Sequence, residues 1–557
     1  NMFFGANEEN YSFLDTCHLT YVLNFEVDKA LLKKDIIRLK FDYIDTYAKI
    51  ILNGKEIAQT KNAFRSYEFD VKKFLKKGAN ELIVEIEPIY QKWQAVNSDD
   101  FNILHSEKRA VFRKAAFQFG WDWAPRQLAG EISFPICLTF EDEKEYLRFA
   151  SVQTEAISEE VANMLLTIKT EFLKDEKYNL KLAYSTSDNK ITTLDLGELR
   201  LENLKDNLSL FRFNVENPQL WFPNGYGNPT LYEATIYLYN KESICLDSVK
   251  TRFGIRTIEL SQKKDKYGSE FCFIVNGKPI FAKGANLVPS AMHKERYEGM
   301  AKHIDLVKEC NMNMLRVWGG GYYVDEQMYK ACDEKGILIW QDFPFACALY
   351  PASEEYLAEV EAEAKENVLR ISSHPSLALW CGNNEIWEGW GNWSWDKEVK
   401  DTALAVKNYN TLFRELLPNI VNEYCPTIDY THSSPLNGWG RKESLTEGDC
   451  HYWGVWWGDS VFETYTRKVP RFMSEYGFQS SPNKKTVEKY FTLPYSKENK
   501  GFAIHQKHNR GFELIENRIL ERFDSYSKDE DYINKTSIVA SEAFSIGIES
   551  HLRATPY

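Results

Sequence analysis

Near Phe271 the hydrophobic pattern changes period, and that change limits the possible folds more than any other feature of the chain. Before it, apolar residues alternate with polar ones in short runs. Tyr21, Leu23, Phe25 and Val27 form one run, and Ala48, Ile50 and Leu52 precede an Asn53-Gly54 turn; Leu82, Val84 and Ile86 form a third. Period two with tight-turn residues between runs predicts a β-sandwich over residues 1–145, ending at the charged run Glu141 to Glu145. A second β-rich block covers 146–260, with Leu166, Ile168 and Thr170, then Phe211, Phe213 and Val215, then Ala234, Ile236 and Leu238 alternating. Its length and short strands predict an immunoglobulin-like sandwich, and the polar segment Ser261 to Gly268 reads as a linker or hairpin tip.

Beyond Phe271, short apolar runs alternate with amphipathic helices. The runs Ile280 to Asn286, Met314 to Trp318, Ile337 to Trp340, Leu377 to Cys381, Ile428 to Ser433 and Phe472 to Met473 read as strands. A helix through Met328 and Cys332 should stop at Gly336, and another buries Leu357, Val360, Ala364, Val368 and Ile371 on one face. Strand–helix alternation over 261–557 predicts a (β/α)₈ (TIM) barrel, so the fold class is multidomain, β followed by α/β.

Composition narrows the function. With 68 basic against 81 acidic residues, the chain lacks the basic face a nucleic acid requires. Ten scattered cysteines give no Cys or His cluster for a structural metal, and no nucleotide, cofactor or serine-nucleophile motif is present. The reading is therefore no metal, no cofactor and no membrane span, with compartment and oligomeric state unassigned. Of 15 tryptophans, five fall between Trp380 and Trp395 and three more are Trp453, Trp456 and Trp457. Aromatics crowded into short segments suit a flat apolar platform for sugar rings.

Polar residues just past a barrel strand's C-terminal end are the catalytic candidates. Glu385 follows Leu377 to Cys381 through Gly382-Asn383-Asn384, and Glu475 follows Arg471 to Ser474. Paired carboxylates are what glycosidic cleavage needs, whereas a Glu taken at random is a surface cap or ion-pair partner. Arg316 is open to two readings, a partner for a core carboxylate or a charge that keeps the nucleophile ionised. Trp318, beside three glycines, is core packing or a sugar contact. Spacing alone makes Asp122 a turn former, and His374 and His451 hydrogen-bonded structural groups, since neither has a second ligand at i+4.

Several longer motifs carry a resemblance. They are Arg113 with Phe119 to Pro125, Lys283 to Asn286, Asn311 to Tyr323, Trp340 to Phe343, His374 to Glu385, His451 to Gly454, and Arg471 to Pro482. Together they resemble the β-mannosidases of glycoside hydrolase family 2, nearly end to end. The resemblance implies that the first sandwich is a jelly-roll sugar-binding-like domain. It implies Glu385 as acid/base and Glu475 as nucleophile of a retaining exo-β-mannosidase, acting on a β-mannoside oligosaccharide or glycan. It places Asn384 on the sugar 2-hydroxyl, with Arg316, Trp318, Trp393 and Tyr452 lining the subsite and Trp121 and Asp122 reaching in from the first domain. Other exo-glycosidases of that family (β-galactosidase, β-glucuronidase, exo-glucosaminidase) and a non-catalytic carbohydrate-binding fragment are the alternatives. The retaining chemistry predicts carboxyl groups about 5 to 5.5 Å apart. Seven strand candidates run from Ile280 to Glu475, so the barrel is expected to lack its eighth strand and the chain to be truncated at both ends.

Overall fold

The structure, a computed structural model, describes residues 2–133, 135–171, 174, 177–185, 190–199, 207–292 and 300–554. Asn1 and Tyr557, at the chain ends, lie outside the described residues.

The first unit packs two antiparallel sheets. One has the order Leu19–Val27, Gly78–Ile86, Ala48–Leu52, Lys55–Thr60; the other has Tyr67–Asp70, Ile36–Phe41, Cys137–Glu141. Alternate residues meet between them: Ile37, Leu39 and Phe41 with Ile50, Leu52, Leu82, Val84 and Ile86. Asn53 and Gly54 both take positive φ (51° and 75°) to make the turn that their residue types favour. The first predicted run departs from full burial. Val27 is buried, but Leu23 is 48% exposed, because this strand is the sheet's edge and has one neighbour.

A three-on-four sandwich follows, with Tyr146–Ile157, Val161–Glu171 and Leu208–Glu216 against Thr192–Leu199, Tyr178–Ser185, Tyr232–Asn240 and Cys245–Phe253. Leu166, Ile168, Phe213, Val215, Ile236 and Leu238 all point into its core. The polar segment after Ser261 is a hairpin tip. Lys264–Asp265 pairs with Gly268–Ser269, and Arg471 grips Asp265 at 2.8 and 3.0 Å. A side chain at Gly268 would start 2.1 Å from the Thr446 carbonyl oxygen, so this close approach requires glycine.

Seven barrel strands are present among the described residues: Gly284–Leu287, Met314–Val317, Leu338–Asp342, Leu377–Cys381, Tyr430–Thr431, Asp449–His451 and Phe472–Glu475. The first five form one parallel sheet in sequence order, and the last two pair with each other. No strand follows Glu475 among the described residues; helices do, the last being Glu530–Arg553. Asn286 on the first strand donates from Nδ2 to the Ser474 carbonyl on the seventh at 2.9 Å. Phe271 and Phe273 enter the barrel floor against Trp340 and Phe472, with ring centroids 5.2–6.3 Å apart. Outside, helix Glu326–Lys335 ends at Gly336 (φ 73°), and helix Glu354–Ile371 buries Val360, Ala364, Val368 and Ile371 completely. Each such side chain contributes roughly 1.5–3 kcal/mol of transfer free energy, which is what holds this helix to the barrel.

The first unit is tied to the barrel by polar contacts near its mouth. Arg113 forks onto Glu363 at 2.9 and 2.7 Å, and Arg109 donates to the carbonyls of Ala346 and Cys347. Those bonds carry the Trp121 to Trp123 loop to the C-terminal end of the strands.

Candidate active site

Glu385 and Glu475 approach each other from the ends of the fourth and seventh strands. Glu475 is the last residue of its strand, and its carbonyl accepts from Tyr452 N–H at 2.8 Å. Glu385 caps the short helix Ile386–Asn392 with φ at 62°, an unusual value for a residue with a side chain. Its N–H bonds the Ser434 carbonyl at 2.7 Å, and the preceding Asn384 bridges to Ala346 and Ser434, so neighbouring strands hold this conformation. Strained backbone enforced from both sides is common where a side chain must be aimed.

Each carboxyl has its own partners. Arg316 Nη1 donates to Glu475 Oε1, and Trp453 Nε1 donates to Glu475 Oε2 at 3.2 Å. Glu385 Oε1 lies 2.8 Å from His451 Nδ1, and Glu385 Oε2 accepts from the Cys347 thiol at 3.3 Å. Burial raises both carboxyls above the usual range, and Arg316 acts against that rise. The Arg316 bond itself falls on Glu475, so of the pair it is Glu385 that favours the proton.

Arg316 organises the floor of the site. Both earlier readings hold at once: it forks onto Asp342 at 2.7 and 3.3 Å and it also meets Glu475. It further donates to Asn384 Oδ1 at 2.8 Å and Asn286 Oδ1 at 2.9 Å. Because a guanidinium can only donate, Asn384 must present its oxygen there and its amide N–H groups elsewhere, one of them toward Cys347 Sγ at 3.4 Å.

Aromatic residues form the wall. Trp318 is buried and meets Trp121 edge-on at 4.9 Å and Trp123 at 5.6 Å. A side chain at Gly320 would start 1.8 Å from the Trp318 ring, so the glycine lets the indole lie against the backbone. Asp122, between those two tryptophans of the first unit, is pushed up to about 6 by burial and by the negative charges of Glu385 and Glu475. That coupling brings Asp122 beside the carboxyl pair. Trp393 stands 39% exposed at the end of the helix that Glu385 starts, edge-on to Trp395 at 5.4 Å. The Tyr452 ring contacts Trp439 and Tyr465 and belongs to the cluster under the C-terminal helices, so its backbone, not its ring, is what meets Glu475.

The site contains residues that the sequence reading did not single out: Asp342, Cys347, Trp453 and Asn286. It also contains His451, read only as a structural histidine. Its partners stand on other strands, so no i+4 spacing could reveal them. The Asp449–His451 strand also lacks an apolar run to announce it. Glu385, His451 and Glu475 offer atoms within 4.8 Å of one another. Hydrogen bonds already link or occupy these atoms, with Arg316, Trp453 and Cys347 donating to the carboxyl oxygens. The arrangement suits proton transfer rather than an ion. No helix among the described residues is long and apolar enough to cross a membrane.

A parallel barrel that brings two carboxyls together at its C-terminal mouth, behind a β-sandwich that supplies part of the wall, is the construction of a glycosidase. Three family descriptions match in series: Glycosyl hydrolase 2 galactose-binding domain-like over residues 1–130, Glycosyl hydrolases family 2 over 146–256, and Glycosyl hydrolases family 2, TIM barrel domain over 269–539. The chain belongs to glycoside hydrolase family 2. It is similar to the Beta-mannosidase B of Aspergillus flavus, at 30% identity over 98% of this chain and 66% of that one. The Beta-mannosidase B of Aspergillus oryzae matches at 31% identity over the same shares. Among solved structures, Beta-D-Mannosidase from Dictyoglomus thermophilum superposes with a TM-score of 0.88 at 32% identity, covering 99% of this chain and 67% of that one. The chain thus spans about two thirds of the length of these relatives.

Proposed function

We propose that the protein removes terminal, non-reducing β-linked mannose with retention, Glu475 acting as nucleophile and Glu385 as acid/base. The observation that carries this reading is that the two side chains offer oxygens within 4.8 Å of each other. That fits attack by a carboxylate better than the roughly 6.5–9.5 Å needed to admit a water between carboxyls. Mannose as the sugar is supported by the named activity of the relatives above. In the first step Glu475 attacks the anomeric carbon while Glu385 gives its proton to the leaving oxygen. In the second, Glu385 takes a proton from water as that water displaces Glu475.

Asn384, held by Arg316 with its N–H groups free to donate, is the proposed partner of the 2-hydroxyl. Trp121, Asp122 and Trp318 are the proposed sugar contacts, and Trp393 and Tyr452 stand at the periphery. Hydrolysis of a panel of 4-nitrophenyl β-glycosides tests the proposal. Turnover confined to the mannoside, with the first product released as the β-anomer, is the expected result. Faster turnover of the galactoside, glucuronide or glucosaminide would replace the substrate, and an inverted product would replace the mechanism.

A further inference from the structure

His451 touches both carboxyls, and the two-step mechanism above gives it no task. It is buried on the sixth barrel strand, with Nδ1 2.8 Å from Glu385 Oε1 and 3.4 Å from Glu475 Oε2. Its other nitrogen, Nε2, lies 3.0 Å from Ser434 Oγ. The roles along this chain of contacts follow from counting protons. Asp449 accepts three hydrogen bonds: from Ser434 Oγ–H at 2.7 Å, Ser474 Oγ–H at 2.6 Å and Leu436 N–H at 2.7 Å. Ser434 has one hydroxyl proton and gives it to Asp449, so toward His451 it can only accept. Nε2 must therefore carry a proton and donate it to Ser434.

A neutral imidazole protonated at Nε2 has a bare lone pair at Nδ1. That lone pair faces Glu385 Oε1 at full hydrogen-bond distance. Two lone pairs would repel there, so the contact requires a proton, and the oxygen that carries it is settled by the neighbours. Both Glu475 oxygens already accept, from Arg316 and from Trp453. Glu385 Oε1 has no donor facing it.

We propose that the Asp449–Ser434 pair locks His451 in its Nε2–H tautomer, so that its bare Nδ1 keeps the proton of the carboxyl pair on Glu385. His451 is on this account a positioning residue for the acid, and it loads the proton that the leaving group will take. The tautomer stands on the hydrogen bonds alone, and only its consequence for turnover rests on the proposed function.

The charged and titratable groups around the pair come from every neighbouring strand. Arg316, Glu475 and Asp449 face His451; Arg316, Cys347, Asp122, Glu388 and Glu475 face Glu385. Burial and the positive charge of Arg316 push His451 down to about 4, against the pull of Glu475 and Asp449, which agrees with a neutral ring.

Two measurements test the proposal. Imidazole ¹⁵N NMR of the protein, with the His451 signal assigned by its loss in His451→Gln, should show a neutral Nε2–H ring between about pH 5 and 8. This readout requires no activity, so it separates failure of the tautomer from failure of the proposed function. An Nδ1–H ring or an imidazolium at neutral pH would overturn it. The second measurement is the pH profile of kcat/KM for Ser434→Ala. Unlocking the ring lets Nδ1–H donate to ionised Glu385, so the alkaline limb should move down by about one unit, and Ser434→Thr should restore it. A limb that stays in place, or that moves up, overturns the proposal.

Discussion

Arg316 and Asp342 meet in a two-bond pair with only 4% and 0% of their side chains exposed. Asp342 also accepts from Trp340 Nε1 at 2.9 Å and Gly319 N–H at 3.1 Å, so the carboxylate is saturated and fixed. Holding one side of the guanidinium in this way aims the remaining N–H groups at Glu475, Asn384 and Asn286. One buried cation therefore sets both the charge of the proposed nucleophile and the orientation of the proposed 2-hydroxyl partner.

Asp342→Asn should be strongly destabilising. It removes the charge that Arg316 was desolvated against and leaves a buried cation short of a partner, at a cost of about 3–5 kcal/mol. The midpoint of urea unfolding should fall accordingly. A midpoint within experimental error of the unaltered protein would show that Glu475 alone compensates Arg316.

The two glutamates should respond differently to truncation. Glu475→Ala should abolish turnover of every substrate, since no other group is placed to form the glycosyl-enzyme. Glu385→Ala should lose about 10²–10⁴-fold on an alkyl mannoside but much less in the first step with a dinitrophenyl leaving group, which needs no proton. Mass spectrometry of that reaction should then detect the covalent intermediate. Equal losses on both substrates, with no adduct, would mean that the roles are misassigned.

Specificity should sit at Asn384. Mannose differs from glucose only in its axial 2-hydroxyl, and a site built to bond a hydroxyl discriminates far better than an apolar one. Asn384→Ala should lower kcat/KM for the mannoside by about 10²-fold and bring the mannoside and glucoside rates closer together. An unchanged ratio would move discrimination to another residue, with Asp122 the first to examine.

Much of this architecture is legible in the sequence because it depends on period and punctuation. Leu166, Ile168, Phe213 and Val215 point into the second sandwich as their alternation requires, and Gly336 stops its helix. Glu385 and Glu475 were visible because each follows an apolar run at a barrel strand's end. The Asp449–His451 strand was not visible as one. It is three residues long, and its two polar members are satisfied by Ser434 and Ser474, from segments far away in the chain. Asp342, Cys347 and Trp453 were missed for the same reason, since only the closed barrel brings them together. The Tyr21 to Val27 alternation overstated burial, because period two marks a strand without showing whether it is an edge.

The last prediction concerns the other histidine, which sits away from the carboxyls and does what its lone position suggested. His374 is buried, stacks on Tyr329 at 4.8 Å, and lies 2.6 Å from Asp333 and 3.3 Å from Glu326. Burial opposes its charge, but the two carboxylates outweigh burial and raise it to about 9. Its proton is therefore held more tightly in the folded protein than in the unfolded chain. The stabilisation is complete below the unfolded value near 6.5 and is lost as pH rises through about 9. The amount at stake is on the order of 3 kcal/mol. Urea midpoints should hence decline between about pH 7 and 10, and His374→Gln, which has no proton to lose there, should flatten that decline while lowering stability at neutral pH. A variant with the same alkaline slope as the unaltered protein would assign the loss to other groups.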